Sequence, residues 1–269
     1  AAASAAVLVS PMLIVHRQVL PLVPPTVWGL IVATGVAQAV YFSGLAGAYR
    51  HGDISLAYPL ARALPVLAIA ALSILLGAGG EIGRVSLIGM WLISAGCIIL
   101  PLPYFRRLRL RDYGDVVYVM AVVAAIGTTG YTLLDDAALR QLRAVPDLPL
   151  SIPRITLLFI TLQALSTATM LGLAALAYAP ERRRLTALVR NRPLLRSGML
   201  TGVVIMVTYG LVLAAMAYVR NVSYVAAFRQ LSIPIGAVLG LTLGQEAPYR
   251  PKLAGIAAIS MGLILVALV

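Results

Sequence analysis

The chain is poor in the groups from which soluble enzymes build sites. It has one cysteine, two histidines and nine carboxylates in 269 residues, and only 11% of it is charged. The single cysteine, Cys97, makes no disulfide within the chain and says nothing about redox compartment. His16 and His51 lack metal-ligand partners at helical spacing. There is no HExxH, no GxSxG and no phosphate-cradling glycine loop. No cofactor and no bound metal are expected, and an enzyme reading finds no chemistry to rest on. The alternation that marks a barrel strand is missing too.

Apolar residues fill the chain instead. They make up 61% of it, with a mean hydropathy of +0.96. A soluble domain is nearer to about 45–50% apolar and about 25% charged. Nine apolar runs stand out: 1–15, 27–49, 54–76, 85–103, 116–134, 155–179, 197–219, 222–243 and 252–269. A spanning helix needs about 20 such residues, so the predicted class is an all-α, multi-pass integral membrane protein. A bacterial inner membrane is the expected location and the lipid bilayer the first partner.

A net charge of +12 would suit a nucleic-acid binder. Here nineteen of twenty-one basic residues lie in loops or at helix ends, concentrated in RRLRLR (106–111) and ERRRLTALVRNR (181–192). The positive-inside bias of membrane proteins accounts for that, and no nucleic-acid partner is expected. The clusters at 106–111 and 182–196 also have the chemistry to dock anionic lipid or a protein partner.

The chain repeats itself. YRHGDISLAYPLARALPVL, followed by GGE, is echoed by YVRNVSYVAAFRQLSIPIG, followed by LGQE. Thr34/Thr201, Ser55/Ser223, Arg62/Arg229, Glu81/Glu246 and Gly96/Gly262 keep an offset of 165 to 168. Glycines seven apart recur in the closing runs, as Gly89 and Gly96 and again as Gly255 and Gly262. The two closures are the fourth and ninth runs, five crossings apart, an odd number, so equivalent helices should cross in opposite senses. The expected units are a first repeat over 1–103, an Arg-rich linker over 104–115 and a second repeat over 116–269. The second half has five runs and the first only four, and the first run is short before His16 and Arg17. A further helix is therefore expected ahead of Ala1.

With these motifs the chain resembles the drug/metabolite transporter superfamily, in particular its ten-helix EamA-like members. That resemblance implies an inverted repeat of two five-helix bundles around a central cavity. It implies transport of a small organic metabolite by alternating access, with no cofactor. The alternative is a non-transporting membrane scaffold or assembly subunit that reuses the fold. The family implies that both termini are cytoplasmic. Loop charges disagree, with thirteen basic residues on the side that includes 182–196 and six on the other. Orientation stays open between the two.

Arg62 and Arg229 are the leading site candidates, because a guanidinium keeps its charge and must face protein, water or an anion. They lie eight and seven residues into their runs, about 12 and 10 Å along helices that enter from opposite faces. Both would lie near mid-depth, with a tilt towards solutes carrying an anionic group. The bland alternative is that each ties backbone carbonyls freed at Pro59, Pro65 or Pro234, the expected kink or hinge positions. Further substrate-binding candidates are Gln38, Tyr41, Tyr58, Tyr209 and Tyr224, with Tyr131 and Gln163 also polar inside runs. Asp135 and Asp136 follow nineteen apolar residues and are placed at the interface. If protons couple to transport, they are the carboxylates available.

Overall fold

The computed structural model describes residues 2–51, 54–100, 102, 116–146, 148–243 and 249–268, the side chains of 54–60, 186 and 188–190 excepted. The Arg-rich cluster 106–111 and Glu246 lie outside the described residues. Among those described there is no strand. The helices are α1 (Ala2–Val9), α2 (Pro11–Val15), α3 (Pro25–His51), α4 (Ile54–Ser73), α5 (Arg84–Ile99) and α6 (Val116–Arg143). They continue with α7 (Ile152–Ala177), α8 (Ala179–Arg190), α9 (Arg192–Ala215), α10 (Val222–Phe228), α11 (Ser232–Thr242) and α12 (Arg250–Ala267).

Seven stretches are long and apolar enough to cross a bilayer: Pro25–His51, Ala61–Glu81, Val116–Arg143, Ile152–Ala177, Arg192–Ala215, Val222–Thr242 and Arg250–Ala267. The other two runs give the shorter apolar helices Ala2–Val15 and Arg84–Ile99. By length and composition this is an all-helical, multi-pass membrane protein. Its surface agrees, because Ile126, Trp91 and Leu211 are 64–68% exposed on helix flanks. Water would penalise such surface, whereas lipid does not.

Local chemistry sets the helix starts. Proline stands in the first two positions of α3, α7, α9 and α12, where its missing N–H has no helical acceptor to lose. The Asn191 and Asn221 side chains cap α9 and α10 by accepting from the N–H groups of Leu194 and Ser223.

The chain forms two compact units. Unit 1 comprises 1–39 and 130–218, and unit 2 comprises 40–129 and 219–269. Each draws on both expected repeats.

In unit 2, α5 and α12 pack along their four glycines. A Cβ on Gly89 would meet the Gly262 carbonyl at 2.6 Å, and one on Gly262 would meet the Gly89 carbonyl at 2.5 Å. Gly96 and Gly255 exclude each other's Cβ in the same way, at 2.8 and 2.9 Å from carbonyl oxygens. The pairing is antiparallel and swapped: the first glycine of one helix meets the second of the other. Around this pairing Ala63, Val66, Ala70, Met90, Ile93, Cys97, Ile259 and Leu263 form a closely packed apolar core.

Unit 2 also departs from regular helix. Helix α4 is continuous through Pro59 and Pro65. The departure comes later, in a π-turn at Ile74–Ala78 where Gly77 has φ 90°, a left-handed conformation that suits glycine. The second half is interrupted near its own proline. A 3-10 turn at Arg229–Leu231 separates α10 from α11 and lies just ahead of Pro234, which is in the first turn of α11. There the Gln230 side chain donates to the Ala226 carbonyl and Ser232 to the Arg229 carbonyl, so these two residues satisfy backbone acceptors at the break.

Candidate functional site

Unit 1 gathers polar side chains around one carboxylate. Asp135 of α6 is fully buried. It accepts hydrogen bonds from the Thr34 hydroxyl of α3 at 2.6 Å, the Gln163 amide of α7 at 2.7 Å and the Tyr209 hydroxyl of α9 at 2.5 Å. Four membrane-length helices thus meet at a single side chain.

A second layer lies one helical turn away. Gln38 is four residues after Thr34, Thr167 four after Gln163, and Tyr131 four before Asp135. The Thr167 hydroxyl donates to Gln38 Oε1 at 2.8 Å. Tyr131 packs edge-on against Tyr209 with ring centroids 5.6 Å apart. Close approach of α3 to α7 makes the two layers fit. A Cβ on Gly35 would collide with Ser166, whose hydroxyl donates to the Ile31 carbonyl at 2.8 Å. The Thr132 hydroxyl, also on α6 and fully buried, has no hydrogen-bond partner among the described residues. A buried polar atom without a protein partner commonly marks a water or ligand position.

The cluster lies inside the helices, away from their ends. Thr34 is nine residues from Pro25, Asp135 eight from Arg143, Gln163 eleven from Ile152 and Tyr209 six from Ala215. At 1.5 Å per residue, that is about 9–16 Å along each helix. Asp135 is buried within the protein although it stands just past the end of its apolar run. Helix α6 continues as regular helix to Arg143, well past the last residue of its apolar run, and so carries Asp135 within the bundle.

Its neighbour faces elsewhere. Asp136 Oδ2 accepts from Arg140 Nε at 2.8 Å, and the Arg140 side chain is 46% exposed. Next along the helix, Arg143 Nη1 donates to the Met216 carbonyl at 3.4 Å. Consecutive residues on a helix point about 100° apart, so only one of the two aspartates reaches the hub.

The other sequence candidates are distributed differently. Gln38 and Tyr209 join the Asp135 cluster. Tyr41 belongs to unit 2, where it packs against Ala61, Ala121 and Ala124 and its ring centroid lies 5.0 Å from that of Phe42. Tyr224 also lies in unit 2. Its hydroxyl accepts from the Gly83 N–H at 3.1 Å and donates to the Glu81 carbonyl at 3.2 Å. Asn221 Nδ2 reaches Glu81 Oε2 at 3.3 Å, so both residues clamp the turn that ends the 61–81 stretch. Arg62 and Arg229 are both partly buried in unit 2. The Tyr58 side chain lies outside the described residues.

Thr167 was not singled out from sequence, and Thr34 counted only as a landmark of the repeat. A signal existed. Thr34/Gln38, Tyr131/Asp135 and Gln163/Thr167 are polar pairs at i, i+4 inside apolar runs, which puts each pair on one helix face.

Comparisons add little to this geometry. No family model matches the chain, and no curated protein matches it. A solved structure described only as "Crystal structure of protein" aligns over 99% of this chain and 95% of that one, at 16% identity and a TM-score of 0.48. No argument rests on a likeness of that degree.

Proposed function

We propose that the chain is a transporter of a small organic solute, working by alternating access and coupled to protons at Asp135. The observation that carries this reading is the buried carboxylate itself. Ionisable groups are expensive at membrane depth and mark ion or substrate pathways by default. Asp135 is fully buried, and donors from three other helices hold it.

Protonation gives that hub a reason to move. Thr34, Gln163 and Tyr209 all donate and Asp135 accepts from each of them. A protonated carboxyl must itself donate one bond. The hydroxyls of Thr34 and Tyr209 can rotate to accept it, but the Gln163 NH2 group cannot. A proton on Oδ1 turns the Thr34 hydroxyl from donor to acceptor, and one on Oδ2 displaces or reorients a bond from Gln163 or Tyr209. Proton uptake therefore changes the bonds that tie α6 to its neighbours, and a solute that binds one arrangement better shifts the balance.

The inverted repeat of EamA-like type belongs to the same reading. Its support is local: the swapped, antiparallel glycine contacts of α5 and α12 are compatible with helices related by an axis in the membrane plane. Arg62 and Arg229 supply a preference for solutes with an anionic group. A non-transporting scaffold is the second reading, favoured by the fact that Thr34, Gln163 and Tyr209 all find their acceptor in Asp135.

Reconstituted vesicles with an internal pH dye test the proposal against a panel of amino acids, organic acids, sugars and amines. The expected result is solute-dependent proton flux in the wild type and its loss in Asp135→Asn, with the variant still folded. No saturable flux for any solute would favour the scaffold. Solute-driven proton flux that persists in Asp135→Asn would remove the proton from Asp135.

A further inference from the structure

Helix α8 is twelve residues long, APERRRLTALVR. One residue, Tyr178, separates it from α7, and one, Asn191, separates it from α9. Both are extended, with φ/ψ of −104°/108° and −93°/93°, so the chain changes direction at each end of α8. Helices α7 and α9 are membrane-length. If both cross the bilayer, as their length and composition allow, α7 leaves it near its C-terminal end and α9 re-enters near its N-terminal end, on the same side. A twelve-residue helix rises about 18 Å. If α8 stood out from the membrane, its far end would need a long return segment, and only Asn191 is there. Both ends are held at one boundary, so α8 lies along it.

Its composition fits that position. Leu185, Leu188 and Val189 fall at i, i+3 and i+4, one face of the register. Arg182 and Arg184 flank that face, and Arg183 and Arg190 fall opposite it. The side chains of Arg182, Arg183, Arg184 and Leu185 are exposed. Six arginines and no carboxylate occupy 182–196, with Glu181 just ahead, 3.1 Å from Arg184. Arg192 and Arg196 stand in the first turns of α9, where the helix dipole disfavours positive charge. An anion at that spot would offset the penalty.

We infer that α8 is an interfacial helix: its leucine face enters the headgroup boundary of the protein's own bilayer, and its arginines bind the phosphates of anionic phospholipids. Arginine's planar fork suits phosphate. Apolar burial and charge attraction act together in such helices. The occupant is the adjoining leaflet because α7 and α9 anchor α8 there. This inference is independent of transport.

The test uses spin labels at Leu185→Cys and Arg183→Cys, each in a Cys97→Ala background, in nanodiscs of phosphatidylcholine with or without phosphatidylglycerol. With phosphatidylglycerol, the label at 185 should become several-fold more accessible to oxygen than to a water-soluble nickel chelate, and the label at 183 should show the reverse. The contrast should shrink in high salt and in the triple variant R182Q/R184Q/R190Q. Inorganic phosphate added to phosphatidylcholine discs should not reproduce it. A label at 185 that stays open to the nickel chelate in both bilayers would overturn the inference and leave the face to a protein partner. A label equally lipid-buried with and without phosphatidylglycerol, and in the triple variant, would overturn the anionic-lipid claim.

Discussion

The two units treat polarity in opposite ways. Unit 1 turns its polar side chains inward, so that Thr34, Gln163 and Tyr209 converge on Asp135 and Gln38 pairs with Thr167 behind them. Unit 2 builds α5 and α12 against each other by removing side chains, so that glycine carbonyls face glycines. Several of its polar bonds serve turns: Tyr224 and Asn221 at Glu81–Gly83, Gln230 and Ser232 at the 3-10 break. A glycine contact has one tight arrangement. A hydrogen-bonded hub has several, because hydroxyls rotate and a carboxyl gains or loses a proton. On the transport proposal, the glycine seam is the rigid part and the carboxylate the part that switches.

The sharpest way to break that contrast is to fill the seam. Gly262→Val should abolish recovery of folded protein, since a Cβ there lies 2.5 Å from the Gly89 carbonyl and 2.9 Å from the Ile93 nitrogen. Overpacking costs about 1–3 kcal/mol even where side chains can yield, and backbone cannot. Gly236→Ala in α11 is the control, because nothing lies within 4 Å of its Cβ position. It should be neutral or stabilising by up to about 1 kcal/mol through helix propensity. Size-exclusion profiles and melting temperature read both. A monodisperse Gly262→Val protein of normal melting temperature would mean that the seam is soft.

The hub comes next. Asp135→Ala leaves three donors without their acceptor, at about 1–3 kcal/mol for each that water cannot reach. Asp135→Asn keeps one acceptor oxygen and should cost less stability while removing the proton site. Thr34→Val and Gln163→Leu delete one bond each, about 1 kcal/mol apiece. The expected pattern is a graded melting temperature across the series but an abrupt loss of proton-coupled flux at Asp135 alone. Flux that merely tracks stability would make the cluster a structural one.

Arg62→Gln and Arg229→Gln probe whether unit 2 touches the solute at all. If the arginines bind its anionic group, each variant should lose most of the solute-induced rise in melting temperature, a mass-action effect of affinity. Lysine should restore only part, because an ammonium lacks the fork. Full solute-induced stabilisation in both variants would confine recognition to unit 1.

Class and span were legible in the sequence because lipid demands long apolar runs, and nine of them are present. The glycine spacing was legible because close helix approach needs small residues at fixed intervals. The site was less so. Arginine drew attention as the costliest residue inside a run, whereas Asp135 sits just past the end of one, where run length alone suggests an interface. Its burial depends on α6 continuing to Arg143 and on three partners distant in sequence. Tyr41 and Tyr209 looked equivalent by repeat position, yet they belong to different units and have different neighbours.

The smallest effect should come from Tyr224→Phe, and it bears on the comparison most directly. Tyr224 looked like a site residue, a phenol within an apolar run. Its hydroxyl is instead engaged on both sides, accepting from the Gly83 N–H and donating to the Glu81 carbonyl. Phenylalanine keeps the ring and removes both bonds. The site is only partly buried, so water can replace part of what is lost, and the cost should be about 0.5–1.5 kcal/mol. Solute affinity and maximal flux should not change, because in this account unit 2 polar groups of this kind hold turns and do not read the solute. A changed apparent KM at an unchanged melting temperature would mean the opposite. Tyr224 would then contact the solute, and the division between a switching unit and a rigid one would fail at that residue.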